Sequence, residues 1–400
     1  MITKKIYTYS KIQKTPIFLA AKKICFKLQK SSFESYFVGG CVRDFIRAPK
    51  KIPKDIDIAT SASPENIKAL FPGARFVGEA FGVCLVQMDG FRFEVATFRV
   101  DGEYVDKRRP QFITMGNMQE DSCRRDFAMN ALYYDPQKKI IKDIHGGIHD
   151  IKNKIIRCVG NPELRFAEDA LRVLRALRFC ANFGFELEKN TQEALQKYGN
   201  YIEHIAKERI LTEFSLVKNF YKFTQNIIQN LSLKYFFQNS ECFEPRLEVT
   251  KNPFYNLEYP FMNFLLNLTL FYEIKVCQNL FHDVKLWPLT RKDASLCQKY
   301  LQIFLLKNSE NVQFQLFVHL KKIYKICPST YKCIVKNSLY IFKSKEMILF
   351  IKGFQGKELD LSNTEISGNI VEVMKEYSIP ERYTQKFIDY CHYINFIMTS

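Results

Sequence analysis

The stretch YFVGGCVRDFIRAPKKIPKDIDIAT, residues 36–60, decides how the chain is read. An apolar, strand-like run ends in Gly39-Gly40, Arg43 follows, and after a basic loop comes Asp55-Ile56-Asp57-Ile58. In an extended run, residues two apart project from one face. The spacing predicts Asp55 and Asp57 side by side, with Ile56 and Ile58 entering a core. Carboxylates that close repel unless a cation lies between them, and hard oxygen donors suit Mg²⁺, which binds through one or two carboxylates plus substrate phosphates. The glycines let backbone N–H groups approach a triphosphate, with Arg43 near enough to neutralise it. Taken alone, Asp-x-Asp is a weak signal that reads better as a polar strand edge in solvent, and Gly-Gly can be a tight turn. Glu94 changes that balance: in FRFEVATF it stands among Phe93, Val95 and Phe98, an odd core neighbour unless it completes a metal site. Its plainer reading is a solvent-facing strand position.

Around this stretch the pattern is mixed. YFVGG, DIDIAT, FGVCLVQMDG, FRFEVATFRV and ALYYD read as short strands separated by turns, and PENIKALF reads as a helix opened by Ser63-Pro64. After Gly160 the periodicity turns helical, and the composition from about Phe214 onward shifts to Phe, Lys, Asn and Tyr. The expected fold class is α+β: a mixed α/β domain over residues 1–150, followed by mostly helical segments over 151–214 and 215–400. Aromatic stripes such as LKYFFQ and FMNFLLNLTLFYEI are expected to form helix cores rather than base-stacking platforms.

With 400 residues the chain can bury more than one core. Its formal charge of +17 and pI near 9.2 come from Lys and Arg spread along the whole length, a surface field that favours RNA or another polyanion as readily as it reflects a basic proteome. The 12 cysteines are spread singly with no Cys-x-x-Cys pair, so reduced and mostly buried thiols are expected rather than a disulfide framework. The apolar run Ile17–Ala21 is too short for a signal-peptide core, and no stretch reaches membrane-spanning length. The expectation is a cytoplasmic protein with no membrane partner.

GGCVRD and DIDIAT are followed by FEVATFR, DGEYVDKRRP, RRDFAMNAL, DIHGGIHDIKNKIIR and EDALRVLRALRF. In that order, across roughly Tyr36–Glu213, the motifs resemble the class II tRNA nucleotidyltransferase and bacterial poly(A) polymerase family. The resemblance implies a polymerase β-like nucleotidyltransferase head, with Asp55 and Asp57 holding catalytic Mg²⁺ ions and Glu94 as the third carboxylate. It implies that Arg125 and Asp126 hold the sugar of the incoming nucleotide with Asn130 in support, although Arg-Asp neighbours are also common surface ion pairs. Gly146-Gly147 is expected to allow a bend between the head and the next segment.

In EDALRVLRALRF, helical spacing puts Glu168 and Asp169 on one face with Arg172, while Leu171 and Leu174 point inward. Ordinary solvated ion pairs would look the same. The resemblance instead makes Asp169 and Arg172 a protein template for the base, with Arg175 and Arg178 contacting phosphates. Edge chemistry agrees: cytosine and adenine each present an amino donor beside a ring-nitrogen acceptor, which a carboxylate and a guanidinium complement, whereas uracil and guanine present the opposite polarity. The implied substrates are CTP, ATP and a tRNA or other RNA 3′ end, with no DNA.

The sequence departs from the family pattern at two places. The loop FIRAPKKIPK is longer than usual and carries Arg47-Ala48 where a Leu-Leu-Gly-like turn is common, and Ala128 replaces a common Thr. DGEYVDKRRPQFITM, Asp101–Met115, resembles the flexible loop linked to A addition, and VGEAFGVCLV resembles the tRNA-directed members. CCA addition to tRNA is therefore the leading expectation, with a poly(A) polymerase or an A-adding enzyme next. A non-catalytic RNA-binding protein is the rival from another class, and it predicts loss of carboxylates that this chain retains. A P-loop phosphotransferase is disfavoured because G-x-x-x-x-G-K-[ST] is absent, and His282-Asp283 lacks the cluster a metal phosphohydrolase needs.

Overall fold

A computed structural model describes residues 3–6, 12–77, 82–102, 111–238, 240–245, 259–274 and 278–305. Residues 78–81 of VGEAFGVCLV, most of the Asp101–Met115 loop and the expected helical tail beyond residue 305 lie outside the described residues. The chain divides into two compact units, residues 1–205 with 226–232, and residues 206–225 with the remainder.

The first unit is built on an eight-stranded sheet. In chain order its strands are β1 (Thr3–Ile6), β2 (Ser35–Val38), β3 (Asp57–Thr60), β4 (Arg75–Phe76), β5 (Val83–Met88), β6 (Phe91–Thr97), β9 (Leu132–Asp135) and β10 (Ile140–Asp143). A separate hairpin is formed by β7 (Arg99–Asp101) and β8 (Ile113–Met115). The sheet order is β1-β10-β9-β2-β3-β6-β5-β4, antiparallel except where β3 runs parallel to β6. The strands expected from YFVGG, FGVCLVQMDG, FRFEVATFRV and ALYYD are present. The short strands β1 and β10 were not expected from the sequence.

Alternation along these strands gives the sheet two working faces. Phe37, Ile58, Phe93, Val95 and Tyr134 are buried on one, where helix α1 (Pro16–Lys30) covers them. Phe18 of α1 meets Phe37 edge-on at 5.2 Å, and Phe45 of helix α2 (Gly40–Arg47) meets Tyr134 at 5.7 Å. Edge-on aromatic pairs of this kind each add about 1 kcal/mol beyond their buried area. Helix α3 (Pro64–Leu70) begins as the sequence suggests, Ser63 Oγ accepting the Asn66 N–H at 3.2 Å. On the opposite face a second cluster gathers Tyr36, Val38, Ala59, Phe98, Met118 and Tyr133, with Met118 supplied by helix α4 (Met118–Cys123).

The sheet leads into helices α5 (Gly147–Asn153), α6 (Pro162–Glu168), α7 (Leu171–Phe183) and α8 (Lys189–Tyr198), with a short parallel pair β11 (Ile155–Ile156) and β12 (Glu186–Leu187). The run EDALRVLRALRF is not one continuous helix. Asp169 takes an extended conformation (φ −146°, ψ 100°), ends α6, and its Oδ1 accepts the Leu171 N–H at 3.1 Å. A carboxylate that caps the next helix competes with continuation of the previous one. Leu171 and Leu174 are buried as expected.

The second unit contains helices α9 (Lys207–Ser215), α11 (Pro260–Phe271), α12 (Gln278–Lys285) and α13 (Arg291–Leu305), α10 (Phe220–Asn230) being shared between the units, and a short antiparallel pair β13 (Phe243–Pro245) and β14 (Tyr272–Ile274). Its aromatic stripes form a core: Phe214, Phe223, Phe236, Phe237, Phe261 and Phe264 are all buried. Cys25, Cys41, Cys84, Cys158, Cys180 and Cys297 are buried free thiols and Cys123 an exposed one. Burial pushes the Cys25 thiol up to about 12.

Candidate active site

The site begins with strand register. Val38, the last residue of β2, pairs with Asp57, the first residue of β3, and the parallel β3–β6 ladder pairs Ile58 with Val95. That register brings Asp57 and Glu94 to corresponding positions on one face, both open to solvent, while Ile58 and Val95 are buried on the other. Asp55 is exposed too but precedes the strand, so only Asp57 of the expected Asp-x-Asp run is a strand residue; Ile56 is buried as foreseen. Glu94 faces away from Phe93 and Val95 and is not a core neighbour of either.

The Asp57 carboxyl is pushed up to about 6. The surrounding protein crowds it despite its open side, and the charges of Glu94 and Asp55 raise it further, with Arg125 opposing them. Three mutually repelling carboxylates fit a divalent cation, since hard oxygen donors held at an unfavourable charge density are relieved by one. Among the described residues no group of three His, Cys, Asp or Glu side chains is placed to hold a metal ion together. An ion held here would take one or two carboxylates and complete its shell with water and phosphate, as Mg²⁺ does.

Beside Asp57 the chain turns sharply. Gly39 has φ +72° and ψ −135°, a conformation that L side chains rarely adopt, and a Cβ there would lie 3.7 Å from Arg125 Nη1 and 4.0 Å from Asp57 Oδ2. Gly40 opens α2, so unpaired amides at a helix N-terminus stand next to the acidic strand end. Arg43 lies beneath this turn rather than out in solvent. It is buried, donates to Asn130 Oδ1 at 2.8 Å and Asp44 Oδ1 at 3.0 Å, and stacks over the rings of Phe183 and Phe179 at 4.7 and 5.3 Å.

Arg125 and Asp126 do not bond to one another in any pairing described; each is held by a distant partner. Arg125 donates to Asp121 Oδ2 at 2.9 Å and to the Tyr133 hydroxyl at 3.0 Å, with its guanidinium 5.1 Å from the Tyr133 ring. Asp126 accepts from Arg175 Nη2 at 2.7 Å, Arg175 Nε at 3.0 Å, Asn130 Nδ2 at 3.0 Å and the Phe127 N–H at 2.7 Å. Burial by itself would raise the Asp126 carboxyl, yet Arg175 and these donors bring it down to about 2.

On α7, Arg172 is buried and donates to Glu168 Oε2 at 2.7 Å, Arg165 O at 3.1 Å and Arg124 O at 3.1 Å. The expected Glu168–Arg172 pairing is present, and Glu168 also holds Arg165. Arg178 is buried with its guanidinium 4.3 Å from the Phe179 ring. The sequence reading overlooked Asp121, which is fully buried and bonded to both Arg124 and Arg125. Its signal lay in the spacing: an acid three and four residues before two arginines on a helix.

Comparison with known proteins shows what this arrangement resembles. Residues 35–157 match the poly A polymerase head domain, and residues 184–216 match the probable RNA and SrmB-binding site of polymerase A. The CCA-adding enzyme of Anoxybacillus flavithermus is 45% identical over 198 residues, 49% of this chain and 49% of that one. The CCA-adding enzyme of Oceanobacillus iheyensis is 46% identical over 201 residues, 50% of this chain and 49% of that one. The chain thus spans about half the length of the curated relatives it matches. Among solved structures, the Bacillus stearothermophilus CCA-adding enzyme in complex with CTP superposes with a TM-score of 0.61 at 26% identity, covering 85% of this chain and 83% of that one. The Thermotoga maritima CCA-adding enzyme complexed with tRNA superposes at 0.60 and 19% identity, covering 97% of this chain and 99% of that one, which shows shared fold. Residues 35–157 are thus similar to the poly A polymerase head domain, and the relatives matched over about half of the chain are CCA-adding enzymes.

Proposed function

We propose that the protein is a template-independent RNA 3′-terminal nucleotidyltransferase that adds C and A residues to tRNA, completing a CCA end. The observation that carries this reading is Asp57, held by strand register beside Glu94, flanked by Asp55 and the Gly39 turn, and faced by Arg125. The relatives matched over this segment are CCA-adding enzymes.

In the proposed reaction the 3′-hydroxyl oxygen of the RNA attacks the α-phosphorus of the bound nucleotide; a phosphodiester bond forms, pyrophosphate departs, and the hydroxyl proton passes to solvent. Asp57 with one of its neighbours Asp55 and Glu94 would hold Mg²⁺, the other carboxylate adding negative charge nearby, and the ion when bound supplies the Lewis acidity that activates the hydroxyl and steadies the pyrophosphate. Gly39 and Gly40 present backbone N–H groups to the triphosphate at the start of α2. Arg43 supports that turn from below, Arg175 is linked to it through Asp126 and Asn130, and Arg175 and Arg178 would contribute to phosphate binding. Arg125 and Asp126 position the sugar, with Asn130 bridging Asp126 to Arg43. Asp169 and Arg172 read the base edge, Arg172 being pre-set by Glu168. No step requires a covalent enzyme intermediate.

Addition of a single A or of a poly(A) tail is the second reading, supported by the family description of the head domain. Incubating the purified protein with Mg²⁺ and CTP, ATP or both separates the two, using a tRNA transcript lacking CCA and an unstructured oligo(A). A defined CCA end on the tRNA alone is expected. Long A tails on either RNA, or one A added only to tRNA ending in CC, would replace that reading. A cytoplasmic setting is part of the proposal: the described cysteines are free thiols, and among the described residues no helix is long and apolar enough to cross a membrane.

A further inference from the structure

We propose that Asp121 is a positioning residue that ties the arginine facing the acidic strand ends to the arginine of the nucleotide-selecting helix. The inference rests on the reading of this site as a nucleotidyl-transfer centre. Asp121 is 0% exposed, on the short helix α4, which is fixed at its start by a reciprocal cap between Asn117 and Glu120. Its two carboxylate oxygens face different ways. Oδ1 accepts from Arg124 Nε at 2.8 Å and Nη2 at 2.6 Å; Oδ2 accepts from Arg125 Nη2 at 2.9 Å and the Tyr133 hydroxyl at 2.6 Å. One buried carboxylate therefore fixes two consecutive residues.

Each arm leads to a different part of the site. Along the first, Arg125 Nη1 and Asp57 Oδ2 flank the Gly39 turn, 3.7 and 4.0 Å from where a Cβ would stand, yet the guanidinium is drawn to Asp121 and Tyr133. A neutral residue at position 121 would leave Arg125 to fall onto the Asp57 carboxylate and occupy the place of a cation or phosphate. Along the second, anchoring the Arg124 side chain fixes its backbone carbonyl, which accepts Arg172 Nη2 at 3.1 Å. Slack at Arg124 takes away the one acceptor of Arg172 Nη2 among these contacts, while Glu168 and Arg165 O still hold Nη1, so base selection is loosened. A buried charge cluster of this sort is poor evidence of a stabilising device, because removing charges from water costs much of what their pairing returns. Orientation is what it supplies.

The two arms predict separable signatures. Asp121→Asn, nearly the same size but uncharged, should lower kcat/KM for CTP about 100-fold, the scale of a misplaced reacting group, and should cut the preference for CTP over UTP about 10-fold. Tyr133→Phe touches only the Arg125 arm and should slow CTP and UTP incorporation together, leaving their ratio unmoved. Arg124→Gln touches the Arg172 arm and should shift the ratio more than the CTP rate. Equilibrium binding of CTP and UTP to the same three variants gives a readout independent of turnover, and melting curves report the folded fraction. If Asp121→Asn fails to fold, the contrast between Tyr133→Phe and Arg124→Gln still decides the matter. Unmoved nucleotide preference in folded Asp121→Asn, or identical profiles for the other two variants, would overturn the inference. A wild-type protein that incorporates nothing would instead overturn the reading beneath it.

Discussion

The Arg175 guanidinium on α7 closes on Asp126 with two hydrogen bonds, Nη2 at 2.7 Å and Nε at 3.0 Å, although the two residues are 49 apart in the chain. That clamp joins α7 to the RRD segment and, through Asn130, to Arg43 under the glycine turn. The Asp126 carboxyl is brought down to about 2 in the folded protein against an ordinary value near 4. Its folded-state value is depressed, so its contribution is present above about pH 4 and lost as pH falls toward 2. Asp126→Asn should cost about 2–3 kcal/mol at neutral pH and flatten acid unfolding in that window, as denaturant melts across the pH range would show.

Asp57 behaves in the opposite sense. Its carboxyl is raised to about 6, so ionisation costs stability: the cost is absent below about pH 4 and complete above about pH 6. Two pH units would amount to about 3 kcal/mol if fully felt, and solvent on the open side reduces that to about 1 kcal/mol. Asp57→Asn is therefore expected to raise the melting temperature at pH 7.5 and leave it unchanged at pH 4. Mg²⁺ should raise the melting temperature of the wild type and do so less in the variant, and chelation by EDTA should reverse the gain.

Gly147 gives a purely steric prediction. A Cβ at this position would lie 2.1 Å from the Ala128 carbonyl oxygen, and Asp143 accepts the Gly147 and Ile148 N–H groups at 2.8 and 2.9 Å. The residue expected to permit a bend is thus the crowded first turn of α5, with Gly146 before it at φ +76°. Gly147→Ala should cost about 3 kcal/mol, whereas Gly73→Ala, where nothing lies within 4 Å, should cost far less. Chemical denaturation of the two variants side by side makes the comparison.

Arg172→Ala removes the guanidinium that Glu168, Arg165 O and Arg124 O hold in place. Discrimination of CTP and ATP against UTP and GTP should fall about 10-fold or more, the scale set by losing one well-made hydrogen bond in a buried polar site. Competition assays with all four nucleotides measure it, and retained rejection of UTP and GTP would remove Arg172 from base selection.

The sequence was most legible where structure is local. Alternation marked β2, β5, β6 and β9, and Ser63-Pro64 marked the start of α3, because each depends on a few adjacent residues. β10 was missed because IIKD is short, and β1 because TKKI gains meaning only from pairing with β10 far along the chain. The break at Asp169 was hidden because the helical pattern continues through it; only the Asp169 carboxylate, capping Leu171, reveals the interruption. Of the site, the carboxylates and glycines were readable as types. Their partners were not: Arg43 turned under Gly40, and Asp126 committed to Arg175, are consequences of packing between distant segments.

The most direct test of the account is incorporation of labelled CTP and ATP into a tRNA transcript lacking its CCA end, by the wild type and by Asp57→Ala, both checked for native melting. The account predicts a CCA end from the wild type and at least a 1,000-fold loss in the variant, since removing a charged group that acts directly on the transition state costs about 4 kcal/mol or more. A folded Asp57→Ala protein that still extends the tRNA at a comparable rate would contradict it.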